Sequence, residues 1–221
     1  MKSIIIIPSR MNSTRFPGKP LVSINGVPMI QRVWQQAINS NVGEVVVACS
    51  EIEVFKLIKN LGGRAILTDP NLPSGTDRIY SALMQSGESI NHDCIINLQG
   101  DMPLIQPEKL VRVLEPIKQN YSIGTIATDL HETDKKNLNV TKIVVEWQND
   151  KIGKAKQFFR ATNKITSNIY HHVGVYSYTK ESLYKFIKLP KSKNEISLKL
   201  EQYRAMDADI DIGVVFESNV P

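Results

Sequence analysis

The residues best suited to chemistry are three cations near the start of the chain, Arg10, Arg15 and Lys19. They follow an apolar β-branched run, Ile4–Ile7, and two prolines and a glycine around Lys19 restrict the loop that carries them. Guanidinium groups form paired hydrogen bonds to phosphate oxygens, and an ammonium group adds a compact positive charge. We therefore predict a polyphosphate site in this loop. The alternative is a solvated basic loop, the commoner fate of surface cations.

A carboxylate, Asp101, stands at the end of another apolar run. Gly100 allows a sharp backbone turn just before it. A carboxylate in that position can hold Mg²⁺ between phosphate groups, because hard cations prefer oxygen ligands. An aspartate in an ordinary β-turn explains the same pattern. The spacing alone leaves both roles open.

A third segment, Ser74-Gly75-Thr76-Asp77-Arg78, combines helix-start residues with a cation. Ser74 or Thr76 could cap the helix that follows, and Gly75 allows a ligand to approach the backbone closely. Capping explains much of this segment, but it does not explain Arg78. Arg78 is therefore a candidate binding residue.

The elements that must position these residues alternate in the first half of the chain. A parallel sheet covered on both faces is typical of such alternation, and its ligands bind where the strands end. The predicted strands are Ile4–Ile7, Glu44–Cys49, Arg64–Leu67 and Asp93–Leu98, and the predicted helices are Pro28–Asn39, Glu51–Leu61 and Asp77–Met84.

The second half has more strand and less helix, which predicts antiparallel members or a small lobe. Asn149-Asp150 should form the turn of a hairpin. The predicted strands are Gly124–Thr128, Lys142–Trp147, Gly153–Phe159, His172–Tyr178 and Ile210–Phe216, and the predicted helices are Glu181–Ile187 and Ile196–Met206.

Bulk properties exclude several classes of protein. The 221 residues fit one domain, and no apolar stretch approaches the ~20 residues of a membrane span. The net charge of +5 invites a nucleic-acid hypothesis, but the cations are scattered, so we expect no nucleic-acid or membrane partner. We see no signal peptide, and Cys49 and Cys94 fit buried thiols, so we expect a cytoplasmic protein.

The first loop contains neither G-x-G-x-x-G nor G-x-x-x-x-G-K-[ST], so the dinucleotide fold and the Walker-type NTPases are not indicated. Its Pro-Ser-Arg, Ser-Thr-Arg and Pro-Gly-Lys-Pro-Leu elements resemble the 3-deoxy-manno-octulosonate (Kdo) cytidylyltransferases, also called CMP-Kdo synthetases. Further motifs follow in the family's order over nearly the whole chain.

The resemblance implies an α/β fold with a doubly wound, mostly parallel sheet of the sugar nucleotidyltransferase type and a small antiparallel extension. It implies a homodimeric enzyme that converts CTP and Kdo to CMP-Kdo and pyrophosphate for lipopolysaccharide synthesis. It also implies Mg²⁺ as cofactor, with Asp101 as its ligand.

The resemblance also implies residue roles, which we carry over position by position. Arg10, Lys19 and Asp101 are the expected catalytic residues, and the nucleotide is expected to contact Arg15, Ser74, Gly75, Thr76 and Arg78. The sugar acid is expected to contact Arg78, Gln99, Arg160, His172, Glu201 and Gln202.

Some positions depart from the family pattern. Met102 replaces a glutamate, Ser50 replaces the acid of an Ala-Thr-Asp motif, and Gln157 and Phe159 also differ. The family continues into a Gly-x-x-Val-Asp-Thr segment after the last strand, so we expect a C-terminal tail to be missing after Pro221. Two alternative functions are a cytidylyltransferase for a related acid, such as 8-amino-Kdo or a sialic-type sugar, and a non-catalytic nucleotide- or sugar-acid-binding relative.

Overall fold

The computed structural model describes residues 1–11, 16–87, 91–160 and 168–220. The chain divides into two compact units, Met1–Val111 and Arg112–Val220. The single domain expected from the chain length stays a prediction. Within the described ranges, no helix is long and apolar enough to cross a membrane.

The first unit is built on a parallel sheet with the strand order β5-β4-β1-β6. A short hairpin formed by β2 and β3 stands apart from it. In chain order the elements are β1 Ser3–Ser9, β2 Ser23–Ile24, β3 Val27–Pro28, α1 Met29–Asn39, β4 Gly43–Cys49, α2 Ile52–Asn60, β5 Arg64–Leu67, α3 Gly75–Ser86, β6 Cys94–Asn97 and α4 Pro107–Arg112.

Strand β1 forms the centre of this sheet because the whole isoleucine run Ile4–Ile7 is fully buried between its neighbours. The strand extends to Ser9, so the end predicted at Ile7 was wrong. Strand β6 pairs with β1 only as far as Ile6, so Pro8, which has no N–H to donate, lies beyond that ladder. All four strands are parallel, and their carboxyl ends therefore share one edge.

The second unit contains a mixed sheet with the strand order β10-β7-β11-β9-β8, and β10 also pairs with β8. The pair β7–β11 is parallel, and the other pairs are antiparallel. In chain order the elements are α5 Glu115–Lys118, β7 Ile123–Thr128, β8 Lys142–Trp147, β9 Ile152–Phe159, β10 Ile169–Thr179, α6 Lys180–Lys188, α7 Lys193–Leu198, α8 Tyr203–Met206 and β11 Ile212–Phe216.

These pairings confirm the α/β class and correct its detail. The parallel sheet predicted for the first half is present, but antiparallel pairing in the second unit is more extensive than a small extension. The predicted hairpin is confirmed, because Trp147 pairs with Gly153 and the Asn149 side chain accepts hydrogen bonds from the N–H groups of Lys151 and Ile152.

The predicted helix Ile196–Met206 was wrong in its continuity. Two short helices, α7 and α8, occupy this stretch, and Lys199 between them adopts a left-handed conformation with φ 55°. The N–H groups of Lys199 and Leu200 both donate to the carbonyl of Glu195, which closes the first helix. A left-handed residue of this kind is usually glycine or asparagine, so a lysine gave no local signal of a helix end.

Candidate functional site

Lys19 and Asp101 meet at the carboxyl edge of the first unit's sheet. The Lys19 Nζ lies 2.6 Å from Asp101 Oδ2, and the two side chains are 38% and 50% exposed. Gly18, at φ 75°, starts the single 3-10 turn that carries Lys19. A Cβ on Gly100 would lie 2.7 Å from the carbonyl oxygen of Pro8, so only glycine lets the Asp101 loop pack against the end of β1.

The segment that carries Arg10 is held by backbone hydrogen bonds on both sides of Met11. The Met11 N–H donates to Glu51 Oε1 at 3.0 Å, and the Met11 carbonyl accepts from the Gly18 N–H at 3.1 Å. Arg10 itself is exposed. Arg15, the third predicted cation, lies outside the described residues.

The start of α3 confirms the capping role predicted for Ser74. Its Oγ accepts from the N–H of Asp77 at 3.1 Å and donates to the Asp77 carboxylate at 2.6 Å. A Cβ on Gly75 would lie 3.5 Å from Gln99 Oε1, so this turn and the end of β6 are neighbours.

Thr76 and Gln99 are joined through one buried amide. The Asn97 Nδ2 donates to Thr76 Oγ1 at 3.4 Å, and Gln99 Nε2 donates to Asn97 Oδ1 at 2.9 Å. Thr76 is 1% exposed, so its side chain stabilises the turn through this hydrogen bond and offers little surface to a ligand.

Arg78 is the buried cation of this edge, with 1% of its surface exposed. Its Nη1 donates to the Thr68 hydroxyl and to the Asp69 carbonyl, while Nη2 is buried and has no partner among the described residues. Burial lowers the pKa of Arg78, and the negative charge of Glu51 opposes that change. A buried donor without a partner is costly, so Nη2 suits an acceptor atom that a ligand supplies.

The surroundings of Asp101 fit a magnesium site in which the substrate supplies most of the ligands. The described residues contain no group of three or more His, Cys, Asp or Glu side chains that could hold a metal ion. Magnesium in phosphate-transfer sites needs no such cage, because one or two carboxylates, substrate phosphates and water complete its shell. The half-exposed Asp101 carboxylate matches that donor set, with Lys19 as its present partner.

In the second unit, His172 is 7% exposed and lies between two aromatic rings. Its ring centroid is 5.1 Å from that of Phe158 and 5.3 Å from that of Tyr176. The Thr125 hydroxyl lies 2.8 Å from the Val175 carbonyl and 3.0 Å from His172 Nε2. Because a hydroxyl has one proton, a Thr125 that donates to Val175 accepts a hydrogen bond from Nε2–H. Burial lowers the pKa of His172 to about 3, which keeps the ring neutral.

Arg160 follows β9 and is held by a buried lysine. Lys142 is fully buried, and its Nζ donates to the carbonyls of Asn137 and Arg160 at 2.5 and 2.7 Å. Arg160 Nη1 also donates to the Leu138 carbonyl at 3.4 Å. Burial lowers the pKa of Lys142. The lysine therefore joins the end of β9 to the turn before β8 and fixes the backbone of Arg160.

Glu201 and Gln202 lie between α7 and α8. The Arg204 guanidinium forms a buried ion pair with Glu195 at 2.6 Å and lies 3.7 Å from Glu201. Burial raises the pKa of Tyr176, and the charge of Glu201 raises it further. The Tyr176 ring contacts His172. The Gln202 carbonyl accepts hydrogen bonds from the N–H groups of Ala205 and Met206 at the start of α8.

The predicted site residues thus form one set in each unit. The first unit brings together Arg10, Lys19, Ser74, Gly75, Thr76, Arg78, Gln99 and Asp101, and the second unit holds Arg160, His172, Glu201 and Gln202. Sequence reasoning missed Glu51, Lys142 and Tyr176. The contact of Tyr176 with His172 had no local signal, because residues four apart on a regular strand lie about 13 Å apart. The ladder between β10 and β7 shifts its register between Val173 and Tyr176, and the two rings are neighbours across that irregularity. Glu51 binds a backbone group 40 residues away, for which a single sequence carries no signal. Lys142 binds the carbonyl of Asn137, five residues earlier, as well as that of Arg160.

Comparison with known proteins gives a consistent result. A family model described as cytidylyltransferase matches residues 4–212. The chain is 40% identical to a 3-deoxy-manno-octulosonate cytidylyltransferase from Parvibaculum lavamentivorans, over 99% of this chain and 86% of the relative. It is also 40% identical to one from Paramagnetospirillum magneticum, over 99% of this chain and 90% of the relative.

A solved structure of a CMP:2-keto-3-deoxy-manno-octonic acid synthetase complexed with CTP is similar with a TM-score of 0.88 and 32% identity. The match covers 99% of this chain and 90% of that one. This similarity, the family match and the two relatives agree with the motifs that the structure gathers at the two sets of residues. The chain therefore belongs to the cytidylyltransferase family, with the 3-deoxy-manno-octulosonate cytidylyltransferases.

Proposed function

We infer that this chain is a nucleotidyltransferase that transfers the cytidylyl group of CTP to Kdo, giving CMP-Kdo and pyrophosphate for lipopolysaccharide synthesis. The observation that carries this inference is the 40% identity over 99% of the chain to proteins named for that activity. The geometry supports it, because exposed cations and a carboxylate converge at the edge where parallel strands end.

The first unit binds the nucleotide. Arg10, Arg15 and Lys19 hold the β- and γ-phosphates, and the Ser74-Gly75-Thr76 turn lies against the nucleotide. The buried Arg78 presents its unpaired Nη2 to an acceptor of the bound substrates. Positioning of the phosphates and stabilisation of charge supply the rate, since the protein does little covalent work in such a transfer.

The sugar acid is bound by Arg78, Gln99, Arg160, His172, Glu201 and Gln202. Arg160 is the natural partner of the sugar carboxylate, because a guanidinium group can bind both carboxylate oxygens. His172 is neutral, so it takes part as a hydrogen-bonding group for sugar hydroxyls and does not move a proton. With its proton on Nε2 in a hydrogen bond to the Thr125 hydroxyl, the ring keeps Nδ1 as an acceptor.

Asp101 would hold Mg²⁺ together with phosphate oxygens. When bound, the ion neutralises charge on the phosphates and makes the sugar hydroxyl more acidic. In the transfer, the anomeric hydroxyl gives up its proton to solvent water and its oxygen bonds to the α-phosphorus, while the bond from that phosphorus to the pyrophosphate oxygen breaks. Lys19 would stabilise the negative charge that develops on the leaving pyrophosphate, and its position 2.6 Å from the carboxylate that would hold Mg²⁺ supports this role.

Release of pyrophosphate tests the proposal directly. We expect turnover with CTP, Mg²⁺ and Kdo, and weaker turnover with 8-amino-Kdo and N-acetylneuraminic acid. Comparable turnover with UTP would move the chain to another branch of the sugar nucleotidyltransferases. Binding of CTP without any turnover would favour a non-catalytic relative. A homodimer and a cytoplasmic location, which the family resemblance supports, complete the proposal, and analytical ultracentrifugation checks the dimer.

A further inference from the structure

The negative charge that the sequence lacks at Ser50 is present one residue later. Glu51 precedes α2 at the carboxyl edge of the sheet, and its side chain makes no capping hydrogen bond to that helix. Its Oε1 instead accepts from the N–H of Met11 at 3.0 Å and from the Ser50 hydroxyl at 2.7 Å. The carboxylate thus reaches 40 residues back along the chain to the end of β1.

The contact falls at the base of the phosphate-binding segment. Met11 follows Arg10 directly, and its carbonyl accepts from Gly18, which directly precedes Lys19. One residue therefore ties together the two described cations of the segment, and Glu51 holds that residue through its N–H. Loss of the carboxylate would release the base of the segment that presents both cations.

The other carboxylate oxygen has an unusual environment. Glu51 Oε2 is buried and has no hydrogen-bond partner among the described residues. The carboxylate charge favours the charged form of Arg78, whereas Arg10 disfavours it. Glu51 therefore lies among cations that repel each other, and its charge offsets part of that repulsion.

We propose that Glu51 is a positioning residue for the triphosphate: it anchors Met11 so that Arg10 and Lys19 reach the β- and γ-phosphates. The proposal rests on the proposed function, because it takes CTP as the ligand. The direction of the change in CTP affinity distinguishes this proposal from a simple charge effect. Removing a negative charge near a triphosphate strengthens binding if the charge only repels, whereas removing an anchor weakens binding.

Two substitutions separate the anchor from the charge. Glu51→Ala removes both, and we expect it to weaken CTP binding at least about tenfold, as for loss of a charge-assisted hydrogen bond. Glu51→Gln keeps a carbonyl oxygen that can accept from Met11, so we expect CTP affinity within about threefold of the parent. Glu53→Ala, an exposed glutamate in the first turn of α2, is the matched control and should leave affinity unchanged.

Calorimetric titration measures the affinities for CTP and for CMP. A purely structural role of Glu51 would not change the difference between them. The anchor acts on the phosphate tail, so Glu51→Ala should weaken CTP more than CMP, and its effect should shrink in a Lys19→Ala background. Equal losses for both nucleotides, or tighter CTP binding by Glu51→Ala, would overturn the assignment. If Glu51→Ala does not fold, a tenfold loss in Glu51→Gln would also overturn it. Absence of CTP binding by the parent chain would overturn the proposed function and this inference together.

Discussion

The two units of this chain use charged side chains in different ways. In the first unit, Lys19 and Asp101 pair while 38% and 50% of their side chains remain exposed. In the second unit, Arg204 and Glu195 pair while only 4% and 8% of theirs are exposed. An exposed pair adds little to stability, whereas breaking a buried pair is costly. The Lys19–Asp101 pair of the first unit therefore keeps its charges available for a ligand, whereas the Arg204–Glu195 pair of the second unit holds its own elements together.

The largest stability effect should follow from breaking the buried pair. Glu195→Ala leaves the Arg204 guanidinium buried without its closest partner and removes the capping box at the start of α7. We expect a loss of about 3–5 kcal/mol in the free energy of unfolding. Urea denaturation measures it, with Glu44→Ala in the exposed Arg64 pair as the control. A similarly small loss in both variants would contradict the contrast between the two units.

The exposed pair should show the opposite pattern, a large effect on catalysis and a small one on stability. Asp101→Asn keeps the shape of the side chain but removes the charge that a divalent cation needs. We expect turnover with Mg²⁺ to fall by about 10²–10³-fold, with an unchanged melting temperature. Asp150→Asn, in the exposed hairpin turn, is the control for pyrophosphate release assays. An Asp101→Asn enzyme of normal activity would remove Asp101 from the metal site.

Low pH should destabilise the second unit through its buried histidine, His172. The folded-state pKa of His172 is lowered to about 3, below its unfolded value near 6.5, so the unfolded chain binds more protons between these pH values. Stability therefore rises with pH across this window, and lowering the pH from 7 to 4 should cost roughly 3 kcal/mol through this group alone.

Denaturation of His172→Gln at pH 7 and pH 4 tests whether His172 causes this loss of stability. The variant retains an amide donor for Thr125 but cannot titrate, so its stability should depend less on pH than that of the parent. His131→Gln replaces an exposed histidine and should keep the parental dependence. An unchanged pH dependence in His172→Gln would show that His172 is not the cause of the loss of stability at low pH.

A smaller effect is expected from Lys19→Ala on nucleotide affinity. Charge-assisted hydrogen bonds contribute about 1.5–3 kcal/mol each, so CTP should bind about ten- to a hundredfold more weakly. CMP lacks the β- and γ-phosphates and should be affected much less. Calorimetry with both nucleotides makes the comparison, and equal losses would remove Lys19 from the phosphate site.

The sequence was more informative about the first unit than about the second. Lys19, Ser74 and Asp101 lie in short motifs directly after strands or before a helix, so strand order alone brings them to one edge. The surroundings of His172 come from contacts over long sequence distances, such as the one with Thr125, and the helix break at Lys199 had no local signal. Glu51 shows the same limit in the first unit, because its partner Met11 lies 40 residues away.

The central claim is that Arg10 of the first unit binds the triphosphate and Arg160 of the second unit binds the sugar acid. Steady-state kinetics of Arg10→Ala and Arg160→Ala, with each substrate varied in turn, tests it most directly. We expect Arg10→Ala to raise KM for CTP about tenfold or more with a smaller change for Kdo, and Arg160→Ala to do the reverse. Both variants raising the same KM, or neither changing any, would contradict this account.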